Sequence, residues 1–188
     1  MDEIWTRLEV FLQQNAPQIY DGLAPGATEA EIAETEARTG LLFPPDVRQS
    51  YLRHDGQADE GYHFIPGYFR LLPMSEVSQE WEEGWDFFNN DDPNAATDPR
   101  VKRVYGDPAW IAIADSVGSN SICLDFAPLP AGTIGQLILY DHEDSYRKCL
   151  APGFRVWLEM IVGDLETGRL VWNAKLQGYE YPEDGNEV

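Results

Sequence analysis

Three short apolar runs, WIAIA at 110–114, SICLDF at 121–126 and QLILY at 136–140, follow one another with nothing but turns between them. Gly118, Pro128, Pro130, Gly132 and Gly135 punctuate the connections. The runs therefore read as neighbouring strands of an antiparallel meander. In the middle run, alternation places Ile122, Leu124 and Phe126 on one face and Ser121, Cys123 and Asp125 on the other.

The rest of the chain is mostly helical in period. Phe154, Trp157, Leu158, Ile161, Val162 and Leu165 fall on one face of a helix that follows the strands. Ahead of them, Ile4, Leu8, Phe11 and Leu12 mark a first amphipathic helix that Pro17 ends, with DGLAPGA as a loop. Thr28 and Glu31 form a capping box, which predicts a second helix from about Glu29 to Thr39 with Gly40 as its left-handed stop. Pro45 opens a third helix, ended near His54 by the glycine of HDGQ. YHFIPGYFRLL (62–72) reads as a strand pair or a bent strand. SEVSQEWEEGWDFFNN returns to helical spacing, with Ser75 as the expected cap and Val77, Trp81, Trp85 and Phe88 on one face. Helices first, strands in the middle and a closing helix predict an α+β fold: a single domain, residues 1–188, with helices packed around a mainly antiparallel sheet. An acidic, Trp-rich insertion occupies about 75–108, and a polar tail follows about residue 177.

Charge narrows the function. The chain carries 33 acidic and 13 basic residues, a net charge of −20. That field repels nucleic acid and anionic membrane surfaces and attracts a basic partner. No apolar stretch approaches the roughly 20 residues needed to span a bilayer. The opening MDEIWTRLEVFLQQ lacks the basic region of a signal peptide, so a cytoplasmic location is expected. The two cysteines, Cys123 and Cys149, have neither disulfide-framework nor zinc-site spacing. Cys123 sits inside a strand, as a small packing residue does, with no basic neighbour in sequence to lower its pKa. DHED at 141–144 reads as an acidic surface turn rather than a metal site, because adjacent residues point apart. GSN at 118–120 lacks the spacing and following helix of a phosphate loop and reads as a turn. His54, His63 and His142 share no spacing. Neither catalytic residues, nor a metal, nor a cofactor is expected.

Ordered motifs add a family likeness. TEAEIAETEARTGLLFPPDVRQSYLRHDGQ, WIAIADSVGSNSICLDF, GQLILYDHED and FRVWLEMI, in this order, resemble the SUKH superfamily, named in part after a fungal cell-wall-assembly regulator. The elements that match are Ile32, Glu36, Gly40, Pro44, Pro45, Asp46, Tyr51, Leu52, Asp55, Gly56 and Gln57, followed by the strand and closing-helix motifs. The resemblance implies an α+β, non-enzymatic protein. Bacterial members are mostly immunity proteins that neutralise polymorphic toxins, many of them basic and nucleic-acid-targeting. The leading expectation is therefore a cytoplasmic immunity protein binding a cognate toxin domain. Glu82, Glu83, Trp85, Asp86, Asp91, Asp92, Asp141, Glu143 and Asp144 are the candidate partner-binding residues, since carboxylates and aromatics suit a basic interface. The alternative is a general intracellular protein-interaction or regulatory scaffold. Oligomeric state stays open.

Overall fold

The computed structural model describes residues 1–58, 61–84, 98–116, 120–143 and 147–182, with the side chains of 83 and 84 left aside. Helix α1 (Asp2–Asn15) buries Ile4, Trp5, Leu8 and Leu12. The Trp5 indole N–H donates to Ser50 Oγ at 2.9 Å, fixing α1 against α4 (Pro45–Arg53). Pro17 does more than end α1: it opens a short second helix, α2 (Pro17–Asp21), ahead of the DGLAPGA loop. A proline at a first helical position lacks only an N–H that would be unpaired there anyway.

Helix α3 spans Glu29–Thr39, the predicted bounds. Its capping box is formed: the Glu31 N–H donates to Thr28 Oγ1 at 3.2 Å, and the Thr28 N–H donates to Glu31 Oε2 at 2.7 Å. Gly40 closes it at φ 71°. The 62–72 segment holds less strand than its sequence promises, a three-residue β1 (Phe69–Leu71) plus isolated bridges at His63 and Ile65. Helix α5 (Met74–Gly84) is not capped by Ser75. Its first N–H, from Met74, donates instead to Asp55 Oδ1 at 2.8 Å. HDGQ is thereby a structural hinge. Gly56 adopts φ 78°, Asp55 caps α5, and the Gln57 N–H donates to Leu71 O at 2.9 Å.

The sheet is β1, β2 (Trp110–Ser116), β3 (Ser121–Asp125), β4 (Gln136–Tyr140) and β5 (Lys148–Ala151), in that spatial order and antiparallel throughout. This is the expected α+β architecture, with a fifth strand that the short, mixed KCLA run does not announce. Ile111, Ile113, Ile122, Leu124 and Leu137 join the helices in one continuous core. A bulge between Ala112 and Ala114 turns both Ile113 and Ala114 to that side. The opposite face carries Trp110, Cys123, Ile138 and Cys149, which make a separate, smaller cluster with Val101. Alternation in β3 thus sorts Ile122 and Leu124 from Cys123 as read, and Phe126 packs at the edge of the main core.

Arg147 holds this outer layer together. Its buried guanidinium donates to the carbonyls of Asp141 and Tyr105, each at 3.0 Å, and lies 4.2 Å from the Tyr140 ring centroid and 5.4 Å from that of Tyr105. Nearby, the Asp98 N–H donates to Arg147 O at 2.9 Å.

Helix α6 (Phe154–Glu166) packs on α1, α4 and the sheet through Phe154, Trp157, Leu158, Ile161, Val162 and Leu165. Beyond it, β6 (Val171–Asn173) and β7 (Gly178–Glu180) form a hairpin where the sequence reads as a mixed pattern around Leu170 to Leu176 and then a polar tail. Tyr179 is buried there against Phe11 and Trp172. Among the described residues, no helix is long and apolar enough to cross a membrane.

Candidate interaction surface

The candidate partner-binding residues singled out in the sequence divide into three groups. Trp85, Asp86, Asp91, Asp92 and Asp144 lie outside the described residues, as does the side chain of Glu83. Glu82, near the end of α5, is held by Arg38 of α3, with Nε donating to Oε1 at 2.8 Å and Nη2 lying 2.7 Å from Oε2. Arg38 Nη1 also donates to Ser78 Oγ at 2.9 Å, so the pair rivets α3 to α5. Asp141 and Glu143 belong to the turn after β4. The Glu143 N–H donates to Asp141 Oδ1 at 3.0 Å, and Asn120 Oδ1 accepts from the His142 N–H at 3.1 Å. Glu143 is 84% exposed at its side chain, with its Oε1 3.8 Å from His142 Nε2. No hydrogen bond or ion pair among the described residues joins Glu82 to this turn. Of the sequence-predicted residues, Glu82, Asp141 and Glu143 are thus the ones whose side chains are described.

A concave polar site does exist, and the sequence reading did not find it. Between α3, the start of α5 and the Asp55 hinge lies a pocket of about 270 Å³ lined by Glu31, Glu34, Thr35, Arg38, Asp55 and Met74, with Ser75 and Ser78 at its α5 side. Glu31, Glu34, Thr35 and Arg38 share one face of α3 through helical spacing, which was the available signal. The rest depends on α5 and residue 55 arriving from elsewhere in the chain. Three carboxylates face one guanidinium, and that guanidinium is already engaged by Glu82 and Ser78. Burial raises the Asp55 pKa; the Met74 N–H draws it back down, and the Glu31 charge adds a further upward push. Glu31 is held below its usual range by the Thr28 backbone and hydroxyl donors. With Arg38 engaged by Glu82 and Ser78, the carboxylates that line the pocket outnumber its one guanidinium.

Burial pushes the Cys123 thiol up to about 12, against a smaller downward pull from Arg147, so it is not a thiolate at neutral pH. Cys149 is likewise raised by burial, and both thiols are free. Of GSN, Gly118 and Ser119 lie outside the described residues; Asn120 pairs with Ser116, whose N–H donates to Asn120 O at 2.9 Å and whose Oγ accepts from the Asn120 N–H at 3.2 Å. Among the described residues, no group of histidine, cysteine and carboxylate side chains converges as metal ligands would.

Comparison with known proteins gives this frame its relatives. Residues 26–160 match the model of the SMI1 / KNR4 family (SUKH-1). The chain is 28% identical to a glucan synthesis regulatory protein of Neurospora crassa, an alignment covering 88% of this chain and 38% of that protein. It is 28% identical to the cell wall biosynthesis/cell cycle regulator smi1 of Schizosaccharomyces pombe, covering 90% and 37%, and 23% identical to the cell wall assembly regulator SMI1 of Saccharomyces cerevisiae, covering 87% and 40%. The chain spans less than half the length of these curated relatives. The family model takes in the capping box, the HDGQ hinge, the meander and the start of α6, and the chain belongs to the SMI1/KNR4 (SUKH-1) family.

Proposed function

We propose that this chain is a non-catalytic, regulatory protein-interaction module that receives a basic segment of its partner in the α3–α5 pocket. The observation that carries this reading is the pocket's unbalanced charge: Glu31, Glu34 and Asp55 against an Arg38 already engaged. The net charge of −20 draws a basic partner in from a distance, and the pocket gives it a seat. The relatives support the regulatory part of this reading, since those compared are regulators of glucan synthesis or of the cell wall. They favour it over toxin immunity, the leading expectation from sequence. The immunity reading shares the charge argument, since a net charge of −20 would also match a basic toxin. An intracellular site of action goes with either reading.

Affinity capture from the source cells, with tagged wild type and a Glu34→Lys variant, tests the pocket. The expected result is a partner retained by wild type at low salt and lost from the variant, while Glu3→Lys on α1 retains it. A partner that Glu34→Lys still holds would refute the pocket assignment. Rescue of cells expressing a neighbouring toxin gene, by this chain and not by an unrelated acidic protein, would move the reading to immunity.

A further inference from the structure

Opposite its buried stripe, α6 presents a second one. Val156 and Met160, 44% and 51% exposed, lie one turn apart, and Gly163 follows on the same face. With Ile4 of α1 they floor a groove of about 510 Å³ whose rim is Arg155, Glu159 and Asp164. Gly163 is the anomaly. It sits inside a helix, where glycine costs about 1 kcal/mol relative to alanine. Its backbone is ordinary helix, and a Cβ built there meets nothing within 4 Å. Nothing in the described fold needs that missing side chain, whereas close approach by another backbone does.

The charges identify the visitor. Arg7 spans Glu159 and Glu166, and Asp164 accepts from Arg169 Nη1 at 3.0 Å and from the Tyr181 hydroxyl at 2.7 Å. In a chain of net −20 this face is close to neutral, with the Arg155 guanidinium as its outward cation. We infer that α6 pairs antiparallel with α6 of a second copy of this chain, the two helices crossing at Met160. That crossing sets each Val156 over the other chain's Gly163 and Met160 against Met160. Large meets small under one two-fold axis, on a face without net charge, which is what an isologous contact requires. The inference is independent of the pocket on α3 and α5.

The rest of the surface opposes this dimer, because two bodies of charge −20 repel. Salt therefore strengthens it, the reverse of its effect on a basic partner. Sedimentation equilibrium between about 0.1 M and about 1 M salt, across which the Debye length shrinks from about 10 Å to about 3 Å, is expected to show the chain shifting from monomer towards dimer. Gly163→Gln fills the space that Val156 of the second copy takes and is expected to weaken the dimer about tenfold or more. The same substitution leaves the monomer's melting temperature unchanged or higher, since glutamine is the better helix former. Met160→Cys places two thiols at the axis and is expected to cross-link under mild oxidation; Leu42→Cys, on an 80% exposed site elsewhere, does not. A monomer at both salt concentrations, a dimer indifferent to Gly163→Gln, or equal cross-linking at residue 42 would each overturn the pairing.

Discussion

Two glycines with nearly the same backbone show what the HDGQ motif is for. Gly40 and Gly56 have φ of 71° and 78°, yet a Cβ at Gly40 meets nothing within 4 Å while one at Gly56 falls 2.5 Å from the Pro73 backbone nitrogen. Gly40→Ala is expected to cost about 1 kcal/mol of left-handed strain. Gly56→Ala adds a backbone clash that no rotamer relieves, and is expected to cost about 2–4 kcal/mol. Urea unfolding of the two variants isolates the steric part as their difference, and equal losses would mean that the Asp55 hinge yields without cost. At this scale the sequence was a good guide to packing and gave no sign of the α3–α5 pocket. Alternation in β3 sorts Cys123 from Leu124 correctly, because the strand's period is local information. Nothing local says that Asp55 will come to face Glu31, or that Arg147 will be buried between two tyrosines, since both depend on chain segments meeting from a distance.

Elements were legible where a helix or strand carries its own boundary signals. α3 begins and ends where Thr28, Glu31 and Gly40 say it does, because caps and stops are short-range chemistry. α6 and the three strands of the meander follow from period alone. α2, β5 and the β6–β7 hairpin were missed for one shared reason. Each is five residues or fewer and is held by its neighbours: β5 by β4, and β7 by β6 and the bridge to His63. The capping box offers a direct test. Thr28→Ala removes the acceptor of the Glu31 N–H and is expected to lower stability by about 1 kcal/mol, read as a shift of the urea midpoint at constant slope. The same change slackens the α3 wall of the pocket. An unchanged midpoint would mean that packing against α5, rather than the cap, sets where α3 begins.

Across the whole molecule, surplus negative charge is the main strain that the fold carries. Added salt is expected to raise the melting temperature, because the excess of carboxylates repels itself in the compact state more than in the unfolded chain. Titration carries a definite sign. Asp55 and Asp125 are raised, both first by burial, so the folded state takes up protons before the unfolded chain does, and stability rises as pH falls from neutral towards their folded values. Glu9, Asp98 and Glu166 are lowered, each first by its arginine partner: Arg53, Arg100 and Arg7. Their contribution is present above the ordinary carboxylate range of about 4 and disappears as pH falls through their lower folded values. Melting temperature against pH should therefore peak between these windows, just above the ordinary carboxylate range. A monotonic fall from neutral pH downward would contradict the raised pair. The sheet's two faces have a further consequence. One supports the main core with its helices, while the other bears a cover that, among the described residues, is seated on its own small cluster and fastened by Arg147. A frame divided in this way can exchange its cover over evolutionary time, lengthening or rewriting what lies over that face, while the helical body beneath goes on folding as before.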